Sequence, residues 1–237
     1  LNMQRRRQDM TGGLGTPARS SQAFSCLYRD ENFVIVDKPA GLPVHPGPSG
    51  GASVEDFFPQ LSRRSTGPWL AHRLDTDTSG CLVIALRRAA LHAAQAAFAA
   101  GRVEKVYWAV VDGTPAAEQG VIEANLTKQS TRQAGWRMVV AAGGQDAVTA
   151  WRVLGRGAGK TWLELRPQTG RTHQIRVHCA HFGHPLLGDP VYGTGQGRLQ
   201  LLARGITLHL APRLEAVAEP PADMCAHIRE ITDYRIG

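Results

Sequence analysis

Short runs of β-forming residues recur along this chain at irregular intervals, each closed by turn formers, and only two long stretches between them carry a helical period. The run Phe33-Val34-Ile35-Val36-Asp37 is apolar over its first four positions and passes into Lys38-Pro39-Ala40-Gly41, which predicts a strand buried on both faces and then a turn. Segments 70–75 and 81–86 read as two further strands bracketing the polar turn Thr76-Asp77-Thr78-Ser79-Gly80. Ser53 is placed to cap a short helix over 53–61. Alanine-rich residues 88–100, with Leu91, Ala94 and Phe98 at helical spacing and Gly101 behind them, predict a longer one. A strand follows at 106–113, and the β-rich pieces 121–124, 136–140, 147–154 and 161–166 predict an antiparallel meander. Residues 173–182, stopped by Gly183, predict a second helix of that kind. Nothing in this order has a regular βαβ period, so the expected class is α+β with a largely antiparallel sheet, not a doubly wound fold.

Residues 1–22, with Arg5, Arg6 and Arg7 followed by a Gly/Thr/Pro/Ser stretch, read as a flexible basic tail. Lysine and arginine outnumber aspartate and glutamate by 27 to 20 over the 237 residues, giving a net charge of +7 and a pI near 9.7. That balance suits a polyanionic partner, and the arginine-heavy excess suits bidentate contacts to phosphate. Cys26, Cys81, Cys179 and Cys225 lie far apart and form no CxxC pair, so neither a zinc ribbon nor a compact disulfide framework is indicated and a reducing compartment fits. No apolar run approaches the roughly 20 residues that cross a bilayer, and no secretory h-region is seen; a soluble, cytoplasmic protein is expected.

Three polar clusters stand out as sites for chemistry. His72-Arg73-Leu74-Asp75-Thr76-Asp77-Thr78-Ser79-Gly80 lies between apolar strands, where a carboxylate is held rigidly yet meets solvent, although an isolated turn of this kind more often only bonds its own backbone. Thr169-Gly170-Arg171-Thr172-His173-Gln174-Ile175-Arg176 passes from strand into helix, a place suited to anions and equally consistent with an exposed basic face. Tyr107 sits opposite Val106 and Trp108 on its strand, where a phenol can stack on an extruded base or simply fill a core. His178 and His181 share a helical face, but no HExxH or Cys/His set accompanies them, and the glycines at 41, 47, 50 and 51 make no P-loop. Neither a metal nor a nucleotide cofactor is expected.

Taken together, residues 37–47 (DKPAGLPVHPG), 72–80 (HRLDTDTSG), 105–113 (KVYWAVVDG) and 170–193 (GRTHQIRVHCAHFGHPLLGDPVYG) resemble the RluA-type pseudouridine synthase family, in that family's order. LLARGITL and EPPADM resemble its weaker C-terminal pattern. The resemblance implies a pseudouridine synthase fold over residues 23–237, with a long mixed sheet, flanking helices and a central basic cleft. It implies structured RNA, 23S ribosomal RNA or tRNA, as substrate, with no cofactor and no metal. Asp75 matches the catalytic aspartate, and Tyr107 the tyrosine that stacks on the target base and assists proton removal from C5. Arg176 matches the arginine paired with the aspartate, with Arg171 as the alternative. His72 and Arg73 match residues that open the helix and fill the place of the flipped nucleotide, while Arg171, His173 and Gln174 complete the expected substrate contacts. The residues before Ala23 are too few for the S4 domain of many relatives, so the likeness is to the shorter members, expected here as a monomer. Two rival readings are a catalytically silent RNA-binding module and a glycoside or nucleoside hydrolase using Asp75 and Asp77.

Overall fold

The computed structural model describes residues 24–47, 50–132 and 135–232; the tail expected over 1–22 lies outside the described residues. Twelve strands are described: β1 (Cys26–Arg29), β2 (Phe33–Lys38), β3 (Trp69–Leu70), β4 (Ser79–Ala85), β5 (Val103–Asp112), β6 (Gln119–Glu123), β7 (Leu126–Thr131), β8 (Gly135–Val140), β9 (Val148–Gly157), β10 (Lys160–Pro167), β11 (Leu201–Leu208) and β12 (Leu214–Val217). The helices are α1 (Phe58–Leu61), entered through a 3-10 turn at Val54–Phe57, α2 (Arg88–Ala99), α3 (Gln174–His181) and α4 (Ala222–Ile231). Ten strands form one sheet in the order β1-β2-β4-β11-β5-β10-β9-β6, with β12 also on β11 and β3 also on β4. Its pairs are antiparallel except β4 with β11. The α+β class and the mixed, mostly antiparallel sheet agree with the sequence reading.

The single parallel contact explains a glycine in the polar turn. Ala203 of β11 lies opposite Gly80, whose φ is +107° and at which a Cβ would fall 2.3 Å from the Ala203 carbonyl oxygen. Only glycine fits, both sterically and conformationally.

Alternation along the strands sorts the core into two faces. Phe33 and Ile35 of β2 and Val110 of β5 face a layer containing Ala90 and Ala94 of α2 and Met224, Ile228 and Ile231 of α4. On the other face, Ala109 and Val111 pack with Ile175 and Cys179 of α3, while Val34, Val36 and Leu82 pack with Val44, Val54 and Leu74. Tyr107 touches both of these clusters, marking the seam between the two halves of the sheet.

Two sequence expectations need correction, and one stretch left unassigned gains structure. The strand drawn over 70–75 ends at Leu70, because Ala71 makes the last backbone bond to Val83 and the His72 imidazole then accepts the Val83 N–H at 3.0 Å. The meander is interrupted, since β7 and β8 leave the main sheet as a separate two-stranded ribbon while β6 pairs directly with β9. LLARGITL is a strand at the middle of the sheet, and α4 follows it with Met224, Ile228 and Ile231 at helical spacing against the core.

Candidate active site

The seam at Tyr107 opens into a cleft of about 270 Å³, close to the lower end of ligand pockets, which run roughly 300–1,000 Å³. Its walls include all eight residues singled out from the sequence: His72, Arg73, Asp75, Tyr107, Arg171, His173, Gln174 and Arg176. Lys105 joins them, so four cationic side chains face one carboxylate, Asp75, in the lining. Long-range contacts thus bring together three clusters spread over about a hundred residues of the chain.

Asp75 is carried on a turn closed by Thr78 N–H to the Asp75 carbonyl at 3.1 Å, with buried Leu74 anchoring it below. The turn is tied to the preceding loop by Lys38, which is fully buried and donates to the carbonyls of Pro39 (2.9 Å), Leu42 (2.8 Å) and Thr76 (2.9 Å). Gly41 N–H adds a bond to the Thr76 carbonyl at 2.9 Å. Burial lowers the Lys38 pKa to about 8, against the opposing pull of Asp77 and Asp75. Three aimed carbonyls satisfy all three ammonium donors, which is how a buried lysine is tolerated.

Arg176 projects from the first turns of α3 and is only 4% exposed. Its guanidinium fork closes on Asp189, Nε to Oδ2 and Nη2 to Oδ1, both at 2.8 Å, and its remaining Nη1 lies 3.9 Å from Asp75 Oδ2. The expected Arg176–Asp75 pairing is therefore a charge contact beyond hydrogen-bond length, and the bidentate partner is Asp189, a residue the sequence reading did not single out. Asp189 is fully buried and accepts the N–H groups of Val191 (2.9 Å) and Tyr192 (3.1 Å) as well. Burial works against its charge, but Arg176 and these amides outweigh it and hold the carboxyl below its ordinary range. Burial opposes the Arg176 charge too, and Asp189 with Asp75 raises its pKa. Arg171, the alternative partner, turns its Nε to the Asp146 carbonyl at 2.9 Å and is exposed.

His173 precedes α3 in the left-handed region, with φ +53°. Its Nε2 lies 3.9 Å from Asp75 Oδ2 and its Nδ1 lies 2.9 Å from the Tyr192 hydroxyl. Burial lowers its pKa, opposed by Asp75, so the ring is neutral at neutral pH. Tyr107 is raised well above the ordinary phenol range by burial first and by Asp75 second. In the free protein it is a neutral phenol.

Two expected substrate contacts serve the framework. His72 accepts from Val83, lies 5.3 Å from the Phe98 ring, and burial lowers its pKa to about 4, so its Nε2 is already engaged and the ring carries no charge. Gln174 accepts from Thr169 Oγ1 (2.7 Å) and Arg171 N–H (3.0 Å) and donates to the Val148 carbonyl and Thr149 Oγ1, each at 3.0 Å. Both of its amide ends are occupied within the protein. Arg73, by contrast, is exposed at the rim. His178 lies 2.9 Å from Thr149 Oγ1 and 3.0 Å from the Ala124 carbonyl, and the described residues contain no cluster of three or more metal-ligating side chains. No helix among the described residues is long and apolar enough to cross a membrane.

A carboxylate beside a fixed guanidinium, at the floor of a basic cleft walled by a tyrosine, is equipped to work on an electrophilic carbon or an acidic C–H in a polyanion. Comparison with known proteins agrees with this equipment. The sequence model of the family described as RNA pseudouridylate synthase matches residues 32–181. An uncharacterised RNA pseudouridine synthase of Zymomonas mobilis is 39% identical over 201 residues, covering 82% of this chain and 92% of that protein. Ribosomal large subunit pseudouridine synthase D of Pseudomonas aeruginosa is 38% identical over 171 residues, 70% of this chain; the match spans 52% of that longer protein. Among solved structures, Human RNA Pseudouridylate Synthase Domain Containing 4 superposes with a TM-score of 0.75 at 27% identity, covering 86% of this chain and 92% of that one.

Proposed function

The chain belongs to the RNA pseudouridylate synthase family and isomerises uridine in RNA, and from that premise we propose that Asp75 is its catalytic group, with Arg176 and Tyr107 as the residues that complete the site. The observation that carries this reading is the convergence of the three on one cleft, with Arg176 locked by Asp189 and its free Nη1 directed to Asp75 at 3.9 Å.

Isomerisation breaks the N1–C1′ bond, turns the uracil, joins C5 to C1′ and returns the C5 proton to solvent. Asp75 must be ionised, either to attack C1′ or to take a proton from C2′. Because Asp189 holds the Arg176 fork, the guanidinium beside Asp75 need not reorganise when charge shifts on that carboxylate. The target carbon lies inside a base stack, so the nucleotide flips out, at a cost of a few kcal/mol offset by phosphate contacts and by stacking on Tyr107. With its phenol held neutral, Tyr107 offers the base a flat apolar surface and a hydroxyl that accepts the C5 proton only while passing its own onward. Arg73 and Arg171 at the rim are placed for phosphate, and Arg73 for the gap left by the flipped nucleotide.

Residues 23–237 form the catalytic domain in this reading. Its substrate is a structured RNA, 23S ribosomal RNA or tRNA; a relative's name, ribosomal large subunit pseudouridine synthase, favours the former. The protein works in the cytoplasm as a monomer, without cofactor. Tritium release from RNA labelled at C5 of uridine tests the assignment: the wild-type protein releases label and Asp75→Asn does not. Equal release by both would remove Asp75 from the chemistry.

A further inference from the structure

The ribbon β7–β8 stands apart from the main sheet, and its side chains have no part in the chemistry above. Antiparallel pairing sets Lys128 opposite Met138 and Ser130 opposite Trp136, so these four share one face. At the inner end of that face Met138 is buried with Leu126 and Val177, and its N–H donates to the Tyr192 hydroxyl at 3.0 Å, fastening the ribbon beside α3. Toward the tip the face opens. Trp136 is 47% exposed, its ring stacks on the His173 imidazole at 5.2 Å and 29°, and Lys128 Nζ lies 4.9 Å from the ring centroid. His173 in turn is 3.9 Å from Asp75. Two contacts therefore connect the proposed catalytic carboxylate to an indole standing in solvent.

Half a tryptophan left in water forfeits burial, and a two-stranded ribbon has little stability of its own to lose. An open indole with a cation beside it, at the mouth of a basic cleft, matches what proteins use to hold single-stranded nucleic acid, where bases stack on aromatic faces and lysines take the phosphates. We propose that the β7–β8 ribbon is a nucleotide-gripping arm: Trp136 stacks on the base adjacent to the flipped uridine, and Lys128 turns its ammonium to the phosphate between them. This rests on the RNA-modifying reading above. It places one determinant of RNA choice in a segment outside the four blocks that carry the family resemblance.

Titration with a single-stranded oligouridylate tests it without any need for turnover. Binding quenches indole fluorescence in the wild-type protein, and the quench is lost in Trp136→Phe while affinity stays near wild type, because a phenyl ring still stacks. Trp136→Ala binds on the order of tenfold more weakly. Lys128→Gln lowers the slope of log affinity against log salt by about one. An unchanged affinity in Trp136→Ala, or a quench that persists in Trp136→Phe, overturns the proposal. Failure of the catalytic reading looks different: the wild-type protein would form no pseudouridine while the Trp136-dependent quench remained.

Discussion

Removing the Asp189 carboxylate should unfold the site before it touches the substrate. Arg176 and Asp189 are 4% and 0% exposed and joined by two 2.8 Å bonds. Breaking such a pair from one side leaves a buried charge unpaired, at about 3–5 kcal/mol. In a chain of this size that corresponds to a fall in Tm of roughly 6–20 °C, at about 2–4 °C per kcal/mol. Asp189→Ala also deprives the Val191 and Tyr192 N–H groups of their acceptor, so the loss belongs at the upper end of that range. Arg176→Met alone strands the aspartate. The double variant removes both charges, and its destabilisation should fall short of the sum of the singles by about 2 kcal/mol. Urea denaturation of the four proteins measures the cycle. The folded carboxyl lies below its ordinary value of 3.8, so its contribution is present above that pH and is lost as the pH falls through the lower folded value. A single-variant loss under about 1 kcal/mol, or additive singles, would refute the view that this pair frames the site.

Three further substitutions probe the framework. His72→Leu removes the acceptor of the Val83 N–H and should cost about 1–3 kcal/mol in urea denaturation while leaving RNA affinity within about twofold; because burial takes the imidazole from 6.5 to about 4, its contribution in the wild-type protein is complete above pH 6.5 and declines as the pH falls toward 4. Lys38→Met strands three carbonyls and unties the Asp75 turn, so at least about 2 kcal/mol of stability should go, with turnover falling much further than RNA affinity in steady-state kinetics. Gly80→Ala drives a Cβ to 2.3 Å from the Ala203 carbonyl at φ +107°, and a loss of about 3 kcal/mol or a failure to accumulate folded protein should appear by circular dichroism.

Much of the framework was legible because local signals and tertiary demands coincide. The apolar run of β2, the alanine face of α2 with Gly101 at φ +66°, and α3 with Gly183 at φ +86° could be read directly. The meeting of Asp75, Tyr107 and Arg176 was also expected, but only from the joint presence of the blocks that hold them. What escaped were relations that one-dimensional spacing does not encode. Asp189 follows Arg176 by 13 residues through an irregular loop, and nothing local tells a turn-forming aspartate from a buried ion-pair partner. His72 and Gln174 carry polar groups in the right place for substrate, yet β4 and the Thr169 loop claim those groups first. Trp136 was visible only as a strand aromatic, since its exposure depends on the ribbon leaving the sheet. Helix α4 was signalled by Met224, Ile228 and Ile231 and went unread beside the stronger motifs.

The most direct test of the central claim is pseudouridine mapping, by chemical derivatisation and reverse transcription, of ribosomal RNA and tRNA from cells lacking the gene. Each pool is treated with wild-type protein or with Asp75→Ala. A site that appears only with the wild-type protein is the predicted result. Sites formed equally by Asp75→Ala, or none formed by the wild-type protein in either pool, would contradict the account.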